Sequence, residues 1–150
     1  MKQPTSSRRA TAGFTLIELM IAAGVSSILA SVAYPSFSGV MQKTRRTDAL
    51  VAMLQIQQAQ ERWRTNASAY GTLAEVGVVN VTPGGRYTLS VAAASASGYE
   101  ALAVAAGSQA ADRACRYMKL SVEAGNASTS SGETAAVANN AQANRQCWNQ

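Results

Sequence analysis

Histidine is absent from the 150 residues, and cysteine occurs only twice. Without histidine there is no imidazole general base and no histidine-based metal site, and no pair of carboxylates stands in a convincing catalytic frame. No catalytic residue, metal site or cofactor is therefore expected, and the chain does not read as an enzyme. Charge is also scarce, at 14% of residues, and proline occurs three times. From Phe14 to Tyr34 the scarcity becomes extreme, because Glu18 is the one charged side chain in 21 residues. As a helix, that run is long enough to cross a hydrocarbon core of about 30 Å. A carboxylate inside it costs about 2.5–3.5 kcal/mol at the centre of a span, somewhat less near the edge, so Glu18 is a functional residue in search of a partner.

The residues around Glu18 are specific. Gly13, Phe14, Thr15, Leu16, Ile17 and Glu18 follow a short leader carrying Lys2, Arg8 and Arg9. A secretory signal has an apolar region of about 7–15 residues that ends on small residues. Here the run is longer, holds a carboxylate, and the small residue Gly13 comes before it. The stretch resembles the processing motif of type IV prepilins and the related pseudopilins. The resemblance implies cleavage between Gly13 and Phe14 by a prepilin peptidase, methylation of the Phe14 amine, and Glu18 as fifth residue of the mature chain. Glu18 would then be neutralised by the freed amine of another copy's Phe14.

What remains after leader and span is about 116 residues, enough for one modest core. The formal charge of +5 includes the three leader cations, so the mature side chains carry ten positive against eight negative charges, or +2. Leader cations are balanced by Lys43, Arg45 and Arg46 beyond the span, so charge alone does not orient the segment. Cys115 and Cys147 both lie beyond it and fit one disulfide in an oxidising compartment. Two free thiols or half a metal site are the alternatives, and the second lacks histidine partners.

Pro35 and Gly39 follow the apolar run, so a kink or an unwound stretch is expected there. Helical spacing resumes from about Ser36 to Asn66, with Ala49, Ala52, Met53, Ile56, Ala59 and Trp63 on one face. Leu50, Val51 and Leu54 fall off that stripe and suit either a wide core face or packing against neighbours. The two halves together span roughly 80 Å at about 1.5 Å per residue, more than a small domain can cover. A loop, 67–85, ends on the turn signal Pro83-Gly84-Gly85. Tyr87, Leu89 and Val91 alternate with Thr88 and Ser90, Leu102 and Val104 with Ala101 and Ala103, and Met118, Leu120 and Val122 with Tyr117, Lys119 and Ser121, so three strands with one buried face each are predicted, with a turn at Ser97-Gly98. The tail from Gly125 to Gln146 is poor in residues to bury and is given no element of its own.

The expected fold class is α+β. One long amino-terminal helix, transmembrane in its first half and amphipathic in its second, is packed by a meander of three or four antiparallel strands. That is also the pilin fold, and a disulfide-bounded carboxyl-terminal region at 115–147 belongs to it. The boundaries read as leader 1–13, assembly helix 14–35, amphipathic half 36–66 and globular domain 67–150. The approach Ala111-Asp112-Arg113-Ala114-Cys115 and the ending Cys147-Trp148 look most like a type IVa minor pilin.

By that resemblance the partners are other pilin subunits in a helical filament, a prepilin peptidase and the pilus assembly machinery of a bacterial inner membrane. The globular domain is periplasmic before assembly and extracellular after it. Adhesion, twitching motility or DNA uptake are the implied uses. A pseudopilin of a type II secretion system is an alternative with the same motif and helix. A second is a competence minor pilin that captures DNA through Arg113, Arg116, Lys119 and Arg145, which cluster in sequence around the two cysteines. A set of solvated surface cations explains the same four residues without a ligand.

Overall fold

The computed structural model describes residues 13–137 and 139–148. The leader residues Lys2, Arg8 and Arg9 lie outside this range. Helix α1 covers Leu16–Arg64, strands β1 to β4 cover Tyr87–Ala92, Gly98–Ala105, Tyr117–Glu123 and Asn126–Gly132, and helix α2 covers Ala141–Trp148. Two 3-10 turns, Gly107–Ala111 and Arg113–Cys115, join β2 to β3. The chain divides into two compact units, up to Ser38 and from Gly39 onward.

In the first unit the apolar side chains are left uncovered among the described residues. Leu16, Ile17, Leu19, Ile21, Ile28, Leu29 and Val32 are all exposed. Ser27 and Ser31 direct their hydroxyls back to the carbonyls of Ala23 and Ile28 at 2.8 and 2.7 Å, so few polar groups are left open in an apolar solvent. The most apolar 18-residue window of α1 has a mean hydropathy of 2.0, long and apolar enough to cross a membrane. Helix α1 is unbroken through Pro35 and Gly39. The unwound stretch expected there is not present in the single subunit: one lost donor at proline is absorbed without ending the helix.

The second unit is a four-stranded antiparallel sheet in the order β1-β2-β3-β4 with the later part of α1 against one face. Ala49, Ala52, Met53, Ile56 and Ala59 are buried as the periodicity predicts, whereas Trp63 at the end of the stripe is 36% exposed. The sheet's inner face presents Tyr87 and Leu89, then Tyr99, Ala101, Ala103 and Ala105, then Met118, Leu120 and Val122. On β2 this reverses the face expected from side-chain size. Alanines point to the helix, while Leu102 and Val104 are half-buried on the other side. The middle of the sheet thus offers small side chains to an alanine-rich helix face, and bulk comes from the flanking strands.

A two-residue turn links β3 to β4, with positive φ at Ala124 (48°) and Gly125 (81°), the pairing that matches strand twist in a tight hairpin. Gly98 is required for another reason: a Cβ there would stand 2.1 Å from the Val122 carbonyl oxygen. The tail is more ordered than its composition suggests. Its first part pairs with β3 from Glu123↔Asn126 to Tyr117↔Gly132 as the fourth strand. Asn140 then caps α2 by accepting from the Gln142 and Ala143 amides at 2.9 and 3.3 Å. Main-chain pairing and a side-chain cap, not apolar burial, order this segment.

Candidate nucleic-acid interface

Cys115 and Cys147 form a disulfide with 5.6 Å between Cα atoms, and both residues are fully buried. The bond places α2 against the 3-10 turn Arg113–Cys115. It brings the segment carrying Arg113 and Arg116 alongside the helix that carries Arg145.

A second clamp lies beside the disulfide. Arg46 of α1 grips Asp112 with Nε to Oδ2 at 2.6 Å and Nη2 to Oδ1 at 2.9 Å, and its third donor reaches the Gln146 carbonyl at 2.8 Å. Both side chains are buried. Gln109, also fully buried, donates to the Gln42 carbonyl, the Tyr87 hydroxyl and Asp112 at 3.1 to 3.2 Å. Burial pushes the Tyr87 phenol up to about 12, with the Gln109 hydrogen bond working against that rise. Helix, sheet edge, 3-10 turns and C-terminal segment are thereby tied at one locus.

The four sequence-named cations divide on this frame. Arg145 is exposed on α2 and has no partner among the described residues. Arg113 is 72% exposed at its side chain and is paired with Glu133, its Nε at 2.7 Å. Arg116 holds the Ala110 carbonyl through Nε and Nη2 at 3.1 and 2.9 Å. Lys119 does not join them. Its ammonium crosses the sheet to Glu100 at 3.0 Å, so it serves a cross-strand pair.

At the other end of the chain, Glu18 takes two hydrogen bonds on Oε2, from the Thr15 amide and hydroxyl, each at 2.8 Å. The Thr15 hydroxyl accepts in turn from the Glu18 amide at 3.3 Å. This reciprocal cap opens α1 and leaves Gly13 and Phe14 as exposed, non-helical residues just ahead of it. No group of metal-ligating side chains is found among the described residues.

Residues 35–119 match the family model described as type IV minor pilin ComP, DNA uptake sequence receptor. The chain belongs to this family. Residues 8–34 match the prokaryotic N-terminal methylation motif. No curated protein matches the chain. The minor pilin thus combines a processing motif, a membrane-anchoring helix and a DNA-uptake domain, and its family acts as structural subunits. The family match includes Arg113, Arg116 and Lys119, while Arg145, Cys147 and the fourth strand lie beyond it.

The Arg46–Asp112 clamp and the buried Gln60 escape reasoning from motifs. Arg46 precedes Ala49 by three residues and Gln60 follows Ile56 by four, so both sit on the apolar stripe. A polar residue on such a stripe signals a buried partner, though not which one.

Proposed function

We propose that this minor pilin captures DNA at the face its disulfide assembles. Supporting the reading is the Cys115–Cys147 bond, which sets the segment carrying Arg113 and Arg116 beside the helix that carries Arg145, in a chain of the DNA uptake receptor family. Arg145 is open to a phosphate, and Arg113 becomes available when a phosphate displaces the exposed Glu133. Each phosphate contact releases condensed counterions, so the logarithm of affinity falls with that of salt by about 0.9 per contact. With two or three contacts, affinity drops roughly 10- to 40-fold between 50 and 200 mM salt on the same relation. A salt titration of the full chain with short duplex DNA tests this. No binding at 50 mM salt overturns it.

The remaining assignments form one sequence of events. A prepilin peptidase removes residues 1–13 at the Gly13–Phe14 bond, and the Phe14 amine is methylated. The apolar helix 14–35 holds the subunit in the inner membrane with the domain in the periplasm. Assembly machinery then passes the subunit into the filament, where another copy's Phe14 amine meets Glu18. Glu18 Oε1 is free for that contact, since Thr15 occupies Oε2. Pro35 and Gly39 are where α1 loosens as subunits pack, the amphipathic half 36–66 carries the domain 67–150, and the domain is displayed outside the cell.

A further inference from the structure

Between Glu18 and Asp48 the chain holds no carboxylate, and the cations in that interval are Lys43, Arg45 and Arg46. Folding treats the three differently. Arg46 is turned inward to Asp112 and the Gln146 carbonyl, so its charge is spent inside the domain. Lys43 is exposed and has no partner among the described residues. Asp48, the first carboxylate after them, is taken by Arg86 at 2.6 Å.

Arg45 is half-buried on α1. Its Nη1 donates to the Ser108 hydroxyl at 3.1 Å, and its Nε is buried without a partner. Among the described residues no carboxylate pairs with it, and its Nη2 has no acceptor. The domain therefore holds the stem of Arg45 in place and leaves its charge uncompensated.

The position of the two cations along α1 selects what they meet. Phe37 and Val40 are 65% and 61% exposed, so the apolar surface of the helix continues to Val40. A run of that length exceeds a hydrocarbon core of about 30 Å and fits it by tilting. Lys43 and Arg45 follow Val40 by three and five residues, about 4.5 and 7.5 Å along the helix. A headgroup layer is about 5–8 Å deep on each side of the core, so both charges fall at its level. Their side chains also lean toward the start of the helix, as all helical side chains do. Two residues apart, they lie about 200° from each other around the helix axis. One soluble anion cannot bridge opposite flanks, whereas a plane of headgroups around α1 offers a phosphate to each.

We propose that Lys43 and Arg45 bind the phosphates of anionic phospholipids surrounding α1. This binding rests on the reading of α1 as a membrane anchor and is separate from the DNA-binding face.

The full chain is reconstituted in nanodiscs of equimolar phosphatidylcholine and phosphatidylglycerol, extracted in mild detergent, and its retained lipids are counted by native mass spectrometry. Phosphatidylglycerol is enriched about fivefold for each cation, the ratio that about 1 kcal/mol per cation gives. Lys43→Gln, at an exposed site, removes one such step, and Lys43→Arg keeps it. Lys43→Gln with Arg45→Gln retains the two lipids equally. Equal retention by the inserted wild-type chain, or undiminished enrichment in the folded double variant, overturns the proposal. Enrichment lost to inorganic phosphate or short duplex DNA at constant ionic strength marks a site for soluble anions and also contradicts it. A chain that never enters the nanodiscs removes the anchor reading and this proposal with it.

Discussion

Arg46 and Asp112, 66 residues apart, form a two-pronged ion pair in the interior, and the same guanidinium holds the Gln146 carbonyl. One side chain of the long helix thus anchors both ends of the disulfide-bounded region. Truncating one partner leaves a buried charge uncompensated, so Arg46→Ala and Asp112→Ala each cost about 3–5 kcal/mol. Arg46→Met with Asp112→Leu recovers part of that loss. Full recovery is not expected, because the Gln146 carbonyl stays unpaired. Denaturant unfolding of the detergent-solubilised chain reads all three.

The disulfide acts mainly on the unfolded chain. Closing a loop with a sequence separation of 32 contributes about 4 kcal/mol in the chain-entropy model. Cys115→Ser with Cys147→Ser lowers stability by about that amount, and the remaining Arg46 contact and the Trp148 hydrogen bond to the Ser130 carbonyl at 3.2 Å keep α2 near its place. Near-ultraviolet circular dichroism distinguishes a weakened fold from a lost one.

Gln60 clamps the loop after α1 with both ends of its amide, donating to the Gly71 carbonyl at 2.6 Å and accepting from the Gly71 amide at 2.9 Å. All of this is buried, so Gln60→Ala strands two main-chain groups and costs about 2–4 kcal/mol. Hydrogen exchange at Gly71 accelerates most if the clamp is local.

Tyr87 and Tyr99 are buried and their phenols are pushed up to about 12 from the ordinary 10.0, desolvation being the main cause. A folded-state value above the unfolded one means that this stability is complete below about pH 10 and is lost as pH rises through 12. Ultraviolet titration shows two of the five tyrosines ionising late, together with unfolding. Tyr87→Phe moves the alkaline transition upward.

Processing and assembly separate by variant. Changing Gly13 to a bulky residue leaves a precursor-sized product in the membrane. Glu18→Ala is cut normally after Gly13 and enters filaments poorly, so immunoblots of membrane and sheared filament fractions divide the two effects. Normal incorporation of Glu18→Ala counts against the pairing with the Phe14 amine.

Much of the architecture was legible because the periodicities change cleanly along the chain. The apolar run, the stripe from Ala49 to Ala59 and the alternation of Tyr87, Leu89, Met118, Leu120 and Val122 each name an element and a face. β2 misled because its small residues face inward, a choice dictated by the alanine-rich helix across from it and invisible within the strand. β4 and α2 were missed since hydrogen bonds from Asn140, Asn144 and the β3 ladder order them, and composition carries no trace of those partners. Of the four cations, sequence proximity placed Lys119 with the others, but strand pairing turns it to Glu100. Asp112 stood in plain view beside Cys115, and only folding reveals Arg46 as its partner.

DNA affinity at two salt concentrations, for the wild-type chain and for Arg113→Ala with Arg145→Ala, tests the central claim most directly. Loss of about two phosphate contacts makes the log–log salt slope shallower by about 1.8 and weakens binding at 50 mM salt, with unfolding curves unchanged. Glu133→Gln, which frees Arg113, strengthens binding under the same conditions. An unaltered slope and affinity in the folded double variant would contradict the assignment of this face to DNA.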